Sequence, residues 1–418
     1  MNEEYFGAQR SVAALRQAEA RQAFDDSYFS SLRASYFPDR ASADVVARVA
    51  SPTASPSAAG AAKLDQRPLQ IASVGPSFAI GGVEQHLSAL AKFLDPSVAV
   101  IRQCLVTDPE RLDPNTARIL GPDVSVRVCT KNNLRAAVRD MDIVLAWGEQ
   151  FNHYLDPDGP TVVYIAHGDC WWTRKGLEGS SQVVHHVIAV SSRVQQRQCV
   201  GFPSTVILNG VDTSRLACSR PPAQLRAELG LRADDFVIGT VGRMTGEKQM
   251  HLLIQAVHLL PSNFKLLLVG GGPRQAELLA LANDLIPGRF ALRRAHHFLG
   301  DYYGAMDAFA LVSDHEGFGL VIAEAMHCGR PVMATDVGCV GEVIKDRVNG
   351  LVVQPEPQHI ADTAKLLEAH SHWANGLAAE GKAVAEQRFH ARQMSEQYGR
   401  VLQQVHTARL AARQTGAN

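Results

Sequence analysis

From Leu69 onward the chain alternates short apolar runs with longer stretches whose apolar residues recur at helical spacing. Leu69-Gln70-Ile71-Ala72-Ser73-Val74 predicts a strand, Gly81-Gly82 a tight loop and residues 84–94 a helix. Further strands are expected at 124–128, 143–146, 161–165, 187–190 and 206–208, the last leading into Asn209-Gly210-Val211-Asp212. A polar, helix-prone connection covers 221–235, and the pattern then begins again. Strand 236–241 ends at Gly242 and is followed by a helix at 247–260. Strand 265–269 ends at Gly270-Gly271-Gly272-Pro273 and is followed by a helix at 275–285, with strands at 308–312, 331–334 and 351–353 after it. Apolar runs this short, closed by Gly and Pro, suit strands buried in a parallel sheet. Their alternation with helices predicts an α/β chain with two Rossmann-like parallel-sheet domains. A helical tail from 383 to about 410 has more residues than the second domain needs.

Ahead of this pattern, residues 1–37 look helical and are rich in aromatics such as Tyr5, Phe6, Tyr28 and Phe29, while 38–66 are rich in Ala, Ser and Pro, as a linker is. The expected division is therefore 1–66 as helical extension and linker, 67–212 and 213–390 as the two sheet domains, and 391–418 as a terminal helix. The extension suits packing on its own domain, a homodimer contact, or recognition of a second substrate.

Composition narrows the class. Of 418 residues, 46% are hydrophobic and 20% charged, as in a globular enzyme, and no apolar run approaches the ~20 residues of a membrane span. Met1-Asn2-Glu3-Glu4 lacks a secretory pattern, and seven scattered cysteines without C-x-x-C spacing fit reduced thiols, so a cytoplasmic location is expected. A formal charge of −1 argues against nucleic acid as a partner. Peripheral membrane contact stays open, since it needs only a local basic face.

The densest chemistry lies in Asp314-His315-Glu316-Gly317-Phe318-Gly319-Leu320, followed by Val321 to Met326 with Glu324 among them. Glu316 is placed where a strand hands over to a helix, and Glu324 about a turn and a half into that helix. Ligands bind open α/β sheets at this edge. Gly317 and Gly319 admit a ligand close to the main chain, and the N–H groups opening the helix suit phosphate. Carboxylates flanking a phosphate cradle suit a ligand with hydroxyls at both ends, as a nucleotide sugar has. Gly242-Arg243-Met244-Thr245-Gly246-Glu247-Lys248 delivers two cations to the same sheet edge.

Other signals are weaker. The Gly270–Gly272 loop lacks the third glycine of a dinucleotide fingerprint, Gln275 standing in its place. It serves equally as a packing turn or a ligand contact. Gly81-Gly82-Val83-Glu84 opens the first helix as a second anion-binding turn. His167 ends another strand beside Gly168, and Trp171 and Trp172 just beyond suit stacking on an acceptor or simple packing. Asp156-Pro157-Asp158-Gly159 reads as a surface turn, and the pairs His185-His186 and His296-His297 lack metal-ligand spacing. No metal site is expected.

In order and spacing these residues resemble the retaining GT-B glycosyltransferases of family 4, over about residues 69–405. The marks are Gly81-Gly82-Val83-Glu84, His167, Asn209-Gly210-Val211-Asp212, Val241-Gly242-Arg243 with Lys248, the E-x7-E pair Glu316 and Glu324, and Gly329-Arg330-Pro331-Val332. The resemblance implies a GT-B fold, two domains facing across a cleft, with the terminal helix crossing back to the first. It implies a nucleoside-diphosphate sugar as donor, UDP by family habit, a saccharide or small-molecule acceptor, and no metal or other cofactor. Glu316, His167, Arg243 and Lys248 become the catalytic set. Gly82, Gly271, Phe318, Gly319, Leu320 and Glu324 join the two cations in holding the donor, Glu324 on the ribose. Trp171 and Trp172 become acceptor contacts. One departure stands out: Arg293-Arg294-Ala295-His296-His297 and Phe298-Leu299-Gly300 give a shortened strand region where the family holds the nucleobase. Two rival classes are a GT-B epimerase or hydrolase of nucleotide sugars and a catalytically silent GT-B subunit.

Overall fold

The computed structural model describes residues 67–78, 81–113, 118–295 and 298–415. The helical extension expected at 1–66 and the His296-His297 pair lie outside them. The first sheet contains β1 (Leu69–Gly75), β2 (Ala99–Val106), β3 (Ser125–Val128), β4 (Ile143–Ala146), β5 (Thr161–Ala166), β6 (Val184–Ala189) and β7 (Ser204–Val206). The second contains β8 (Phe236–Arg243), β9 (Phe264–Gly271), β10 (Phe290–Arg293), β11 (Ala308–Leu311), β12 (Val332–Ala334) and β13 (Leu351–Val352). Their orders are β3-β2-β1-β4-β5-β6-β7 and β10-β9-β8-β11-β12-β13, parallel throughout.

Every side chain of β4 and β5 is buried. Helices cover both faces of such strands, which is why they read as continuous apolar runs. In each sheet the order reverses once, between β1 and β4 (Ile71 opposite Ile143) and between β8 and β11 (Ala308 opposite Ile238). At these switch points successive crossovers leave on opposite faces and open a crevice at the strands' carboxyl ends. The segments carrying Arg243 and Glu316 both issue from the β8–β11 switch.

Several expectations are corrected. β2 and β10 appear where no strand was expected. The helix expected at 247–260 starts at Met250, because Gln249 takes φ 45° and separates it from a short 3-10 turn, Gly246–Lys248. Phe298-Leu299-Gly300 does not form a strand; Leu299–Ala305 is a helix. A Cβ on Gly300 would lie 1.9 Å from the carbonyl oxygen of Leu216, so this helix packs closely on the segment joining the two sheets.

The tail is two helices, Ser371–Arg388 and Ala391–Gln414, broken at Phe389-His390. There Val211 N–H donates to the Phe389 carbonyl (2.8 Å) and Ala391 N–H to the Val211 carbonyl (3.1 Å). The break thus docks on the Asn209–Asp212 connection, and the Ala391–Gln414 helix runs over the first sheet, against β5, β6 and the Gly82–Phe93 helix. Among the described residues no helix is long and apolar enough to cross a membrane.

Candidate functional site

At the β8 exit the chain turns at Gly242 (φ 157°), and the neighbouring β9 exit turns at Gly270 (φ 141°). A Cβ on Gly270 would sit 1.9 Å from the Gly242 carbonyl oxygen, and one on Gly272 2.7 Å from that of Met244. These two glycines therefore let the loops pack on each other. Gly271 between them would bring a Cβ only as near as 3.3 Å to a side-chain atom, Gln275 Oε1, and its carbonyl accepts from Met244 N–H (2.9 Å).

Arg243 is exposed at the end of β8 and, among the described residues, has no carboxylate within ion-pair distance. Lys248, on the 3-10 turn, is ion-paired with Glu316, whose same oxygen accepts from Ser313 Oγ (2.8 Å). Asp314 N–H donates to the Glu247 carbonyl (2.8 Å), tying this turn to the β11 exit.

Gly319 (φ 90°) caps the Leu320–His327 helix, a left-handed turn that favours glycine. Helix geometry leaves the first N–H groups without intrahelical acceptors, facing the crevice edge. The Phe318 side chain is buried against the Phe389 ring (5.7 Å between centroids), so only its main chain is available to a ligand. Glu324 is buried. Its carboxylate accepts from Tyr303 OH (2.8 Å) and faces Arg215 at 3.7 Å. Burial raises its pKa above the usual carboxylate range, against the opposing pull of Arg215 and Tyr303.

The first sheet contributes from the other side. A Cβ on Gly317 would lie 1.7 Å from the His167 carbonyl oxygen, so the two backbones are in direct contact. Ser191 Oγ donates to the Gly317 carbonyl (2.8 Å) and Arg193 donates to the Asp336 carbonyl (2.7 Å). A Cβ on Gly82 would stand 3.8 Å from Leu320 Cδ1.

The His167 ring is buried, edge-on to His86 (5.0 Å) and Trp147 (6.0 Å), and its Nε2 has no protein partner. Burial, then the charge of His86, hold its pKa well below 6.5, so His167 is neutral. Trp172 meets the His315 ring across the same gap (6.0 Å), whereas Trp171, 69% exposed, lies edge-on to Trp172 (5.9 Å) with Lys175 Nζ over its ring at 5.7 Å.

The structure thus gathers Gly82, His167, Lys248, Glu316, Gly317, Gly319 and Leu320 at one crevice, with Trp172 at its mouth. Arg215, Tyr303, Ser313, Ser191 and His86 were not singled out from sequence. Ser313, His86 and Arg215 stood beside the motifs at 314–320, 81–84 and 209–212, whereas Tyr303 and Ser191 did not.

Residues 223–383 match the family model described as glycosyl transferases group 1. The matched domain belongs to that family. The D-inositol 3-phosphate glycosyltransferase of Frankia alni is 38% identical over 192 residues, 42% of this chain and 46% of that protein. The alpha-maltose-1-phosphate synthase of Mycolicibacterium smegmatis is 28% identical over 256 residues, 56% of this chain and 64% of that protein. The chain spans about half the length of the first of these curated relatives. Among solved structures, Anabaena HepE in complex with UDP and glucose superposes with a TM-score of 0.70 at 23% identity, over 80% of this chain and all of that one. WaaG, a glycosyltransferase involved in lipopolysaccharide biosynthesis, gives 0.62 at 15% identity, over 79% and 99%. The fold of the group 1 domain and its partner sheet is therefore GT-B.

Proposed function

We propose that the chain is a retaining glycosyltransferase that moves a sugar from a nucleoside-diphosphate sugar, a UDP-sugar in the first instance, to a hydroxyl of a saccharide or small natural product without a metal. The carrying observation is the Lys248–Glu316 ion pair beside a glycine-capped helix start at the β8–β11 switch point, with Arg243 exposed at the same edge.

Breaking the bond between sugar and diphosphate gathers negative charge on phosphate and positive charge on the ring. Arg243, Lys248 and the N–H groups after Phe318 are fixed donors aimed where the negative charge grows. In the proposed complex Glu316 orients the sugar hydroxyls while holding Lys248 in place. Glu324 accepts from the ribose hydroxyls, and neutral His167 offers Nε2 to the sugar. Attack comes from the face of the leaving group, and the departing phosphate oxygen takes the acceptor's proton. Contact of Gly317 with His167 shields the reacting bond from water, which would otherwise compete as acceptor. Trp172 and His315 border the route by which an acceptor enters. The UDP-bound relative and the named glycosyltransferases support the reading.

The test is a thermal-shift screen of UDP-, GDP-, ADP- and dTDP-sugars, since a ligand of the folded state raises the melting temperature. It is followed by transfer assays with EDTA present and assignment of the product anomer by NMR. A retained anomer formed in EDTA supports the proposal. Inversion, a metal requirement, or donor consumption as fast without acceptor would overturn it.

A further inference from the structure

At the amino-terminal edge of the first sheet, opposite the crevice, lies a separate cavity of about 480 Å³. Its floor is Asp142, just before β4, and Thr161, which opens β5. Arg135 and Arg139 stand on one side; His406, Arg409 and Arg413 of the Ala391–Gln414 helix stand on the other. The volume falls within the range of small-molecule pockets.

The charges are out of balance. Among the described residues none of the four arginines has a carboxylate within ion-pair distance. Asp142 is already held by Arg67, at 2.7 and 2.9 Å, and by Gln70 N–H. Asp156 accepts from Asp158 N–H within its own turn (3.0 Å). Asp142, Asp156 and Asp158 are the acids of the lining, against four guanidinium groups.

Two of the arginines also hold structure, since Arg409 donates to the Pro157 carbonyl (2.5 Å) and Arg413 to that of Gly159 (3.0 Å). That leaves Arg409 only 8% exposed with its Nη1 unpartnered. Burial, then the charge of Arg413, push its pKa down to about 10, outweighing the opposing pull of Asp158 and Asp156. His406 is occupied with Thr161 Oγ1 (2.9 Å).

We propose that this cavity is a second ligand site, taking a small molecule with several negative charges, phosphorylated or polycarboxylate. Planar guanidinium forks from two facing elements suit phosphate or carboxylate oxygens, and Arg135 and Arg139, exposed and unengaged, supply the contacts that discriminate. The concave form favours a small ligand over a lipid surface. The site shares no residue with the donor crevice, so both ligands can be bound at once.

The experiment titrates citrate and inorganic pyrophosphate into the full chain by calorimetry, with R243A/K248A as background to silence the donor crevice. Adding R135A/R139A removes the exposed arginines. One equivalent of anion should bind the background protein. Affinity should fall about tenfold or more with R135A/R139A, while the melting temperature without anion is unchanged. Equal affinity in both proteins, or no saturable binding in either, would overturn the proposal. So would binding to phosphatidylglycerol vesicles that R135A/R139A abolishes while neither anion binds, an outcome making this face a membrane contact.

Discussion

The backbone of Gly317 touches that of His167 so closely that a Cβ on the glycine would overlap the histidine's carbonyl oxygen, at 1.7 Å. The obstructing atom is main chain and cannot rotate away. Gly317→Ala should therefore push the β11 exit and the β5 exit apart, at a cost of about 1–3 kcal/mol for overpacking. The expected outcome is a fall in kcat of about a hundredfold with UDP affinity nearly kept, because the proposed diphosphate and ribose contacts, Arg243, Lys248 and Glu324, lie within the second domain. Calorimetry with UDP beside steady-state kinetics separates the two. Unchanged kcat would show that this contact is not needed for turnover.

Lys248 and Glu316 are each other's principal partner, so neither can be judged alone. In the proposed complex, Lys248→Ala removes a cation from the diphosphate and leaves Glu316 with Ser313. Glu316→Ala frees Lys248 from its tether. Each single change should cost about 3 kcal/mol of barrier, roughly a hundredfold in rate. The double variant should lose much less than the product of the two, since the pair acts as a unit. Rates for all four proteins at saturating donor check this; strict additivity would mean that the ion pair has no part in catalysis.

What could be read ahead of the coordinates follows from burial. β4 and β5 stood out because both faces are covered and every side chain is buried. β2 was hidden by Arg102 and Gln103, whose polar ends find Gln70 Oε1 (2.6 Å) and the Ala137 carbonyl (2.8 Å). Arg243, Lys248 and Glu316 were legible because each leaves a strand end beside glycine. The Gly270–Gly272 loop was ambiguous in sequence, and its geometry assigns the outer two glycines to packing. Arg215 and Tyr303 were out of reach, since their relation to Glu324 depends on how the connecting segment docks on the Leu299–Ala305 helix. The same docking turned an expected Phe-Leu-Gly strand into helix.

If Glu324 holds the ribose as proposed, nucleotide binding is pH-dependent in a defined direction. Its carboxylate accepts hydrogen bonds only fully when ionised, and burial raises its pKa. UDP affinity should therefore be complete near neutral pH and weaken as pH falls, beginning above the ~4.3 at which an ordinary glutamate protonates. Glu324→Gln, fixed in a neutral form, should bind UDP more weakly and without this dependence. Titrations from about pH 8 to about pH 5 decide it. A Glu324→Gln protein that keeps the acid-side loss would assign the titration to another group.

Acid should also unfold the first domain through its buried histidines. His86 Nδ1–H donates to Asn209 Oδ1 (2.9 Å), yet burial outweighs that bond and pushes its pKa down to about 4; His167 lies well below its ordinary 6.5. Both are neutral in the fold and take up a proton on unfolding. Their contribution is fully present above about pH 6.5 and is lost as pH falls towards 4. For His86 alone the loss approaches about 3 kcal/mol across that window. Melting temperature should drop steeply between these limits, and His86→Asn, which cannot titrate, should show a shallower drop from a lower starting value. Parallel curves for the two proteins would remove His86 from the acid response.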